Sequence, residues 1–427
     1  MASIKPFKAV IYNRKMTAEL KDLVCPPYDV ISPQEQDRLH AVNPHNFIHI
    51  LLGKDIPGED KYRRAQTIFK NWLKDSTLTQ EEKPAIYFYL QNYNIRGEKK
   101  TRLGFIALMH LGEKEKGAFT HENTRLAPKE DRFKLMKQVK ANLSPIFIVF
   151  ADHKRIIQRT YEKYIKDREP FAVVTDNEKT LHCLWKIDDP EVINNFQVSL
   201  AKEDLFIADG HHRYEVASNY RDLMKEKASS YTGEESYNYI LTYFTNTDPH
   251  GLSILPIHRL LKFKITTNQD ELLVKLKEYF EVEPVKDRDR FLFLLEKGGR
   301  SEHLFGMYLN RKYWLLRLKN VKILDGYIKD KPKEYRTLDV AILNQLVFKN
   351  ILDLSIAELD DITYGHNAID VMTEADKSSG SLAFIMNPVR VDAIIALALK
   401  GEKMPPKSTF FYPKVLSGLV IHKHEEA

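Results

Sequence analysis

The chain predicts an α+β fold, on three observations. Apolar strand-like runs and amphipathic segments follow one another in mixed order through the first 250 residues. Several of the runs sit in pairs around short turns, as hairpin strands do. No internal repeat or low-complexity tract sets a period. A doubly wound sheet would need strict strand–helix alternation, which is missing here.

In order along the chain, Pro26 and Pro27 of "CPPYDVIS" stiffen the lead-in to a helix, "SPQEQDRLHAV", with Ser32 as cap and Pro33 at its first position. "DKYRRAQTIFKNWLKD" places apolar residues at helical spacing. "PAIYFYLQNYNI" and "TRLGFIALMHL" pair as strands about Arg96 and Gly97. "SPIFIVFAD" is a buried strand, "KRIIQRTYEKYIKD" a surface helix, and "FAVVTDNEKTLHCLWKID" a hairpin turning near Asp176 and Asn177. In "LFIADGHHRYEVASNY", Leu205, Phe206 and Ile207 form a buried strand and Gly210 permits a tight turn. Tyr214, Val216, Ala217 and Tyr220 then recur at roughly helical spacing.

A second region starts after the loop "TNTDPHG", which divides the chain into residues 1–249 and 250–427. Its helices are "NQDELLVKLKEYF" and "DRDRFLFLLEK", its strands lie in "GMYLNRKYWLLRL", and a turn-rich tail, "GEKMPPKSTFFYPKVLSGLVI", follows.

Bulk properties narrow the class. At roughly 100–200 residues per domain, 427 residues suggest two or three domains. A hydrophobic share of 43% and a charged share of 29% are ordinary for a globular enzyme. The net charge of +6, from 65 Lys+Arg against 59 Asp+Glu, suits an anionic small molecule. The basic residues are dispersed, so no nucleic-acid partner is expected. Two cysteines, Cys25 and Cys183, point to a reducing compartment. With neither an apolar leader nor a stretch near 18 apolar residues, the expectation is a cytoplasmic protein without a membrane partner.

The chemistry centres on "DGHHRY". His211, His212 and Arg213 fall in the first turn of a helix, where free N–H groups and the positive dipole end collect an anion, so a phosphate is expected there with Gly210 at the turn. Asp209 is either the helix cap or a carboxylate for catalysis or Mg²⁺. In "FTHENTRLAPKEDR", His121, Glu122, Asn123, Arg125, Lys129 and Arg132 form a solvated charged loop or else supply a general base, a Mg²⁺ ligand and phosphate clamps. Tyr28 and Asp29, with His258 and Arg259 of "LPIHRLLKF", are candidate substrate contacts; the blander reading of the second pair is a satisfied polar pair beside a core helix. Lys407, Ser408, Thr409 and Lys414 of "PPKSTFFYPK" are candidate phosphate ligands, and Phe410, Phe411 and Tyr412 suit a core or adenine stacking alike.

Familiar signatures are missing. G-x-G-x-x-G and H-E-x-x-H do not occur, and two cysteines cannot build a four-cysteine zinc site. "GEKMPPKST" ends like a P-loop, but Pro406 stands in place of the second glycine and removes a backbone donor.

The turn "DGHHRY" resembles the Gly-x-His-Arg or Gly-x-Arg-Arg turn of the ParB/sulfiredoxin superfamily, which includes free-serine kinases and wraps nucleotide phosphates with it. Together, "CPPYDVIS", "HENT", "NLSPIF", "ADGHHRYE", "ILPIHRL" and "MPPKSTFFYPK" resemble a widespread prokaryotic family known as a domain of unknown function, across residues 25 to 414. The resemblance implies a ParB/sulfiredoxin-like mixed α/β core in residues 1–249 and a large additional α/β region whose tail closes the cleft. It also implies a small-molecule kinase moving a phosphoryl group from ATP or ADP, with Mg²⁺, to a hydroxyl of a small metabolite such as free L-serine. Glu122, Asp209 and His211 are then catalytic, Glu122 as the base, with Asp209 and Glu122 as metal ligands.

Departures bear on chemistry. His211 replaces the cysteine that sulfiredoxin needs, which removes sulfinic-acid repair, and "HENTR" precedes the phosphate turn whereas the ParB box follows it. No helix-turn-helix is evident. Two other classes stay open: a metal-dependent phosphatase or hydrolase using His121, Asp209, His211 and His212, and a nucleotide sensor without turnover.

Overall fold

Eight strands make the main sheet of the computed structural model: β1 (Ile4–Lys5), β2 (Ile86–Ile95), β3 (Glu98–His110), β4 (Ile146–Phe150), β5 (Ala172–Thr175), β6 (Leu181–Ile187), β7 (Phe206–Asp209) and β8 (Tyr239–Asn246). The structure describes residues 3–13, 15, 19–112, 118–120, 122, 126–262, 268–355, 359, 361–378 and 380–425. The spatial order is β7-β4-β8-β3-β2-β6-β5, with β1 also on β3. β4 and β8 run parallel, and the other neighbouring strands of this sheet are antiparallel. The protein is thus a mixed α/β structure with several sheets, in keeping with the mixed order of its segments.

The β2–β3 hairpin forms as expected. Arg96 (φ 53°) and Gly97 (φ 83°) both take the left-handed conformation that suits a two-residue hairpin turn. The hairpin of β5 and β6 closes through Asp176 N–H to the Thr180 carbonyl, 3.0 Å. β4 is buried throughout, which is why "IFIVF" reads as a continuous apolar run.

The longer helices described in this sheet's unit are α1 (Pro33–Val42), α2 (Lys61–Lys74), α3 (Leu126–Val139), α4 (Pro190–Leu200) and α5 (His211–Lys227). Ser32 caps α1 by accepting from Glu35 N–H at 3.1 Å, with Pro33 following as expected. Asp60 caps α2 in the same way. α3 packs against α2 and α5. The segment "KRIIQRTYEKYIKD" is helical, α over Ile156–Thr160 and π over Tyr161–Ile165. Phe105, Phe196 and Phe244 meet in the core, with Phe105 stacked on Phe244 at 5.0 Å.

The chain divides into two compact units. The first comprises Met1–Thr120, Thr124–Ser253 and Pro413–Ala427; the second comprises His121–Asn123 and Ile254–Tyr412. The second unit has its own antiparallel sheet of β9 (His258–Leu261), β10 (Phe280–Val285), β11 (Leu304–Leu309), β12 (Lys312–Leu318), β13 (Thr363–Gly365) and β14 (Leu382–Ile385), ordered β10-β12-β11-β14-β9-β13. Helices α6 (Gln269–Tyr279) and α7 (Arg288–Gly298) occupy the two segments read as helices. Asn310 and Arg311, both at positive φ, turn the β11–β12 hairpin. β10 was not anticipated, because Pro284 argues against a strand; as an edge strand it tolerates the missing donor. Among the described residues no helix is long and apolar enough to cross a membrane.

Candidate phosphate site

β7 delivers Asp209 to the start of α5 through Gly210. Gly210 itself occupies the N-cap position at φ 92°, and a Cβ there would lie 3.1 Å from the Arg213 guanidinium carbon. The positive φ favours glycine, and a Cβ would also need its side-chain neighbours to shift by a few tenths of an ångström. The Asp209 carboxylate therefore does not cap the helix. Its Oδ2 accepts from Arg213 Nη2 at 2.6 Å and its Oδ1 from Lys414 Nζ at 2.5 Å. All three side chains are largely buried, 15% exposed for Asp209, 12% for Arg213 and 11% for Lys414.

The electrostatics follow from that geometry. Burial opposes ionisation of Asp209, but the Lys414 and Arg213 cations, with a further contribution from His211, outweigh it and hold the carboxyl far below its ordinary range. His211 is buried and His212 half-buried in the same first turn. One carboxylate thus faces two cations at the N-terminus of a 17-residue helix, an arrangement that leaves positive charge in excess.

Segments distant in the chain meet here. The Arg213 Nη1 donates to the carbonyl of Pro145, from "NLSP". Tyr28, from "CPPYD", lies under the Arg132 guanidinium at 4.4 Å, and burial pushes its phenol pKa up while Arg213 and Arg132 pull against that. Arg132 donates to the Leu51 carbonyl at 2.6 Å and pairs with Asp131. Ser417, just beyond the "YPK" of the tail, exchanges backbone hydrogen bonds with Cys25 and places its hydroxyl 2.6 Å from that of Ser144. A cavity of about 50 Å³, apolar over most of its wall, opens among Tyr28, Leu51, Arg132, Leu135, Met136 and Arg213, with Arg213 the member of the cluster that lines it. That is room for a few waters or one phosphate-sized group.

The other candidate residues make the following contacts. Asp29 is exposed in the single turn Tyr28–Val30. Lys129 pairs with Glu215 at 3.0 Å. His121, Asn123 and Arg125 fall outside the described residues. The second unit holds Glu122, whose Oε1 accepts from Lys407 N–H at 3.0 Å, and Arg259, whose Nη2 donates to the Lys407 carbonyl at 2.9 Å. Lys407 is exposed and sits at φ 57°. The Ser408 hydroxyl donates to the Pro405 carbonyl, and Thr409 is half-buried. His258 and Arg259 are both buried on β9. His258 Nδ1 accepts from Met386 N–H at 3.0 Å, and burial lowers the Arg259 pKa to about 10.

A row of buried polar residues was not anticipated. His182, Gln91 and Arg102 stand directly opposite one another across β6, β2 and β3. Asp176 lies 3.0 Å from His182 Nε2, and His182 Nδ1 lies 2.6 Å from the Tyr89 hydroxyl. Gln91 accepts from Arg102 Nε at 3.0 Å and donates to the Lys414 carbonyl at 3.0 Å, while Arg102 also donates to the Pro413 carbonyl. The row anchors the backbone that aims Lys414 at Asp209. Its trace in the sequence is slight: Gln91 and His182 interrupt apolar runs, and Arg102 stands just ahead of one.

Mg²⁺ does not fit Asp209 as it stands, since both carboxylate oxygens are engaged by cations. Among the described residues no group of three or more His, Cys, Asp or Glu side chains is placed to hold a metal ion.

Three solved structures resemble the chain distantly. SbnI from Staphylococcus aureus, truncated at its C-terminus, is 11% identical, with a TM-score of 0.38 over 74% of this chain and 86% of that one. A free serine kinase in complex with AMP is 14% identical, with a TM-score of 0.31 over 69% and 83%. A conserved hypothetical protein from Pyrococcus furiosus is 13% identical, with a TM-score of 0.32 over 69% and 86%. No curated protein matches the sequence. The family model for a protein of unknown function, DUF1015, matches residues 4–341, and the chain belongs to that family.

Proposed function

We propose that this protein is a small-molecule kinase that moves a phosphoryl group from ATP or ADP to a hydroxyl of a small cytoplasmic metabolite, with free L-serine the first acceptor to try. The observation that carries the reading is the Asp209–Arg213–Lys414 cluster at the start of α5, beside a phosphate-sized cavity. Phosphoryl transfer asks for positioned positive charge on the phosphates and little covalent help from the protein. Arg213, Lys414, Arg132 and the first-turn N–H groups of Gly210, His211 and His212 supply that charge in this reading, and Asp209 keeps the two nearest cations aimed when no phosphate is present. The "DGHHRYE" turn is then the counterpart of the ParB/sulfiredoxin phosphate turn. Mg²⁺ would arrive on the nucleotide and neutralise phosphate charge.

Glu122 is proposed as the base on sequence grounds, as the carboxylate of "HENTR" among potential phosphate-binding cations. Incubation with ATP or ADP, Mg²⁺ and a pooled metabolite extract, read by mass spectrometry, should yield a new phosphorylated metabolite. Absence of any product with either nucleotide, in the presence of nucleotide binding, would replace the kinase by a nucleotide sensor. Glu122→Gln should cut turnover by about 10²–10⁴-fold with little change in nucleotide affinity. Unchanged turnover removes Glu122 from the reaction.

A further inference from the structure

The second unit contains a cavity of about 200 Å³ bounded by residues 299–303, 337–339, 388–390 and 393. It can hold several waters or one small metabolite. On its wall, His303 Nδ1 lies 2.7 Å from Asp339 Oδ1. In the neutral imidazole, a carboxylate accepting the Nδ1 proton fixes the tautomer that leaves Nε2 as an acceptor. The His303 side chain is 31% exposed, and Nε2 has no hydrogen-bond partner among the described residues.

The charges around the cavity are unevenly committed. Glu302 is held by Arg317 at 2.5 Å, and Asp339 by His303. Arg300 and Arg390 meet only the exposed carboxylates of Glu296 and Asp392, at 3.3 and 3.2 Å. Exposed pairs of that kind hold weakly and yield to a better-placed anion. The cavity therefore offers two available guanidinium groups and one oriented acceptor, with its own acids already paired.

We propose that this cavity binds a small hydroxylated acid, its carboxylate or phosphate between Arg300 and Arg390 and its hydroxyl donating to His303 Nε2. A guanidinium fork matches either oxyanion, so the shared chemistry is the oxyanion with a neighbouring hydroxyl. The site is built from residues of the second unit alone, and its proposal does not rest on the phosphate cluster.

Calorimetry on the full chain with malate, glycerol 3-phosphate, succinate and inorganic phosphate tests this. Malate or glycerol 3-phosphate should bind in the millimolar range or tighter, and the two oxyanions are told apart by which binds better. Succinate, which lacks the hydroxyl, should bind at least several-fold more weakly than malate. His303→Ala should bring the hydroxylated probe down to its partner without the hydroxyl, and Arg390→Gln should weaken every probe that binds. Because these positions line a cavity and are partly exposed, folding is checked by thermal melt. The ¹⁵N resonance of His303 Nε2, assigned by its loss in His303→Ala, should move on adding the tighter probe to the unaltered chain. The proposal is overturned if neither hydroxylated anion binds, if binding survives both substitutions, or if Arg213→Lys abolishes it, which would place the anion at the first unit's site instead.

Discussion

Asp209 shows how one buried carboxylate organises a site. Two cations within 2.6 Å stabilise its charged form, so its removal would leave both uncompensated in a poorly solvated place. Arg213 is the more specific partner, because the two arms of its rigid fork reach Asp209 and the Pro145 carbonyl separately, whereas a lysine has a single ammonium nitrogen on a flexible stem. Arg213→Lys should weaken ADP binding at least several-fold in a chain that still melts cooperatively; unchanged affinity by calorimetry takes Arg213 out of the phosphate site. Gly210→Ala meets a different obstacle. At φ 92° a Cβ is strained and also presses on Ile146 and the Arg213 guanidinium. A cost of about 1–3 kcal/mol is expected, read as a lower melting temperature. Loss below about half a kcal/mol would mean that the turn relaxes. At this scale the sequence was most legible at "DGHHRY", since the preference for glycine and the first-turn cations are local facts. What it hid was the cap: Asp209 is the obvious capping residue by type, yet its oxygens turn to Arg213 and to Lys414, which lies over 200 positions away.

Hairpins and caps were readable at the element scale because each is decided within a few residues, as at Arg96–Gly97 and Ser32–Pro33. Cross-strand register is decided by distant chain, so the His182–Gln91–Arg102 row could not be read off in advance. The short strand His422–Lys423, paired with Ala141–Asn142, has a pH dependence of its own. Burial lowers the His422 pKa to about 4, and His424 beside it, stacked on Tyr220, is lowered further by burial and by His422. A histidine with a depressed folded-state pKa binds fewer protons folded than unfolded over the window between the two values, so stability falls as pH drops through it. For His422 that window runs from about 6.5 down to about 4, at up to roughly 1.4 kcal/mol per pH unit. Asp209 acts in a lower window, since its carboxyl stays ionised well below the usual carboxylate range. The melting temperature should therefore decline from pH 7 to pH 5, and less steeply in His422→Gln. Equal slopes in the two proteins would assign the acid sensitivity to other groups.

For the whole molecule, the feature with the largest consequence is that the first unit is completed by the end of the chain. Val10 and Ile421 exchange backbone hydrogen bonds of 2.9 Å in both directions, Ser417 bonds to Cys25, and His422 pairs with Asn142. Local composition carries no mark of such a return, because a strand's partner is not written in the strand. Five apolar side chains of the tail, Val415, Leu416, Leu419, Val420 and Ile421, are buried. At about 1.5–3 kcal/mol each, their removal costs on the order of 7–15 kcal/mol before relaxation, which is as large as the whole stability of an ordinary domain. The tail also supplies Lys414 and, through Pro413, the acceptor for Arg102. A chain ending at Tyr412 should consequently lose both ADP binding and the cooperative melt of the first unit, with β2 and β3 becoming accessible to protease. The comparison needs the full-length protein beside it under the same conditions, with melting followed by circular dichroism and cleavage mapped by mass spectrometry. A truncated chain that keeps a protease-resistant core over residues 3–253 and binds ADP normally would show that the returning segment is dispensable and that Lys414 plays no part in holding phosphate.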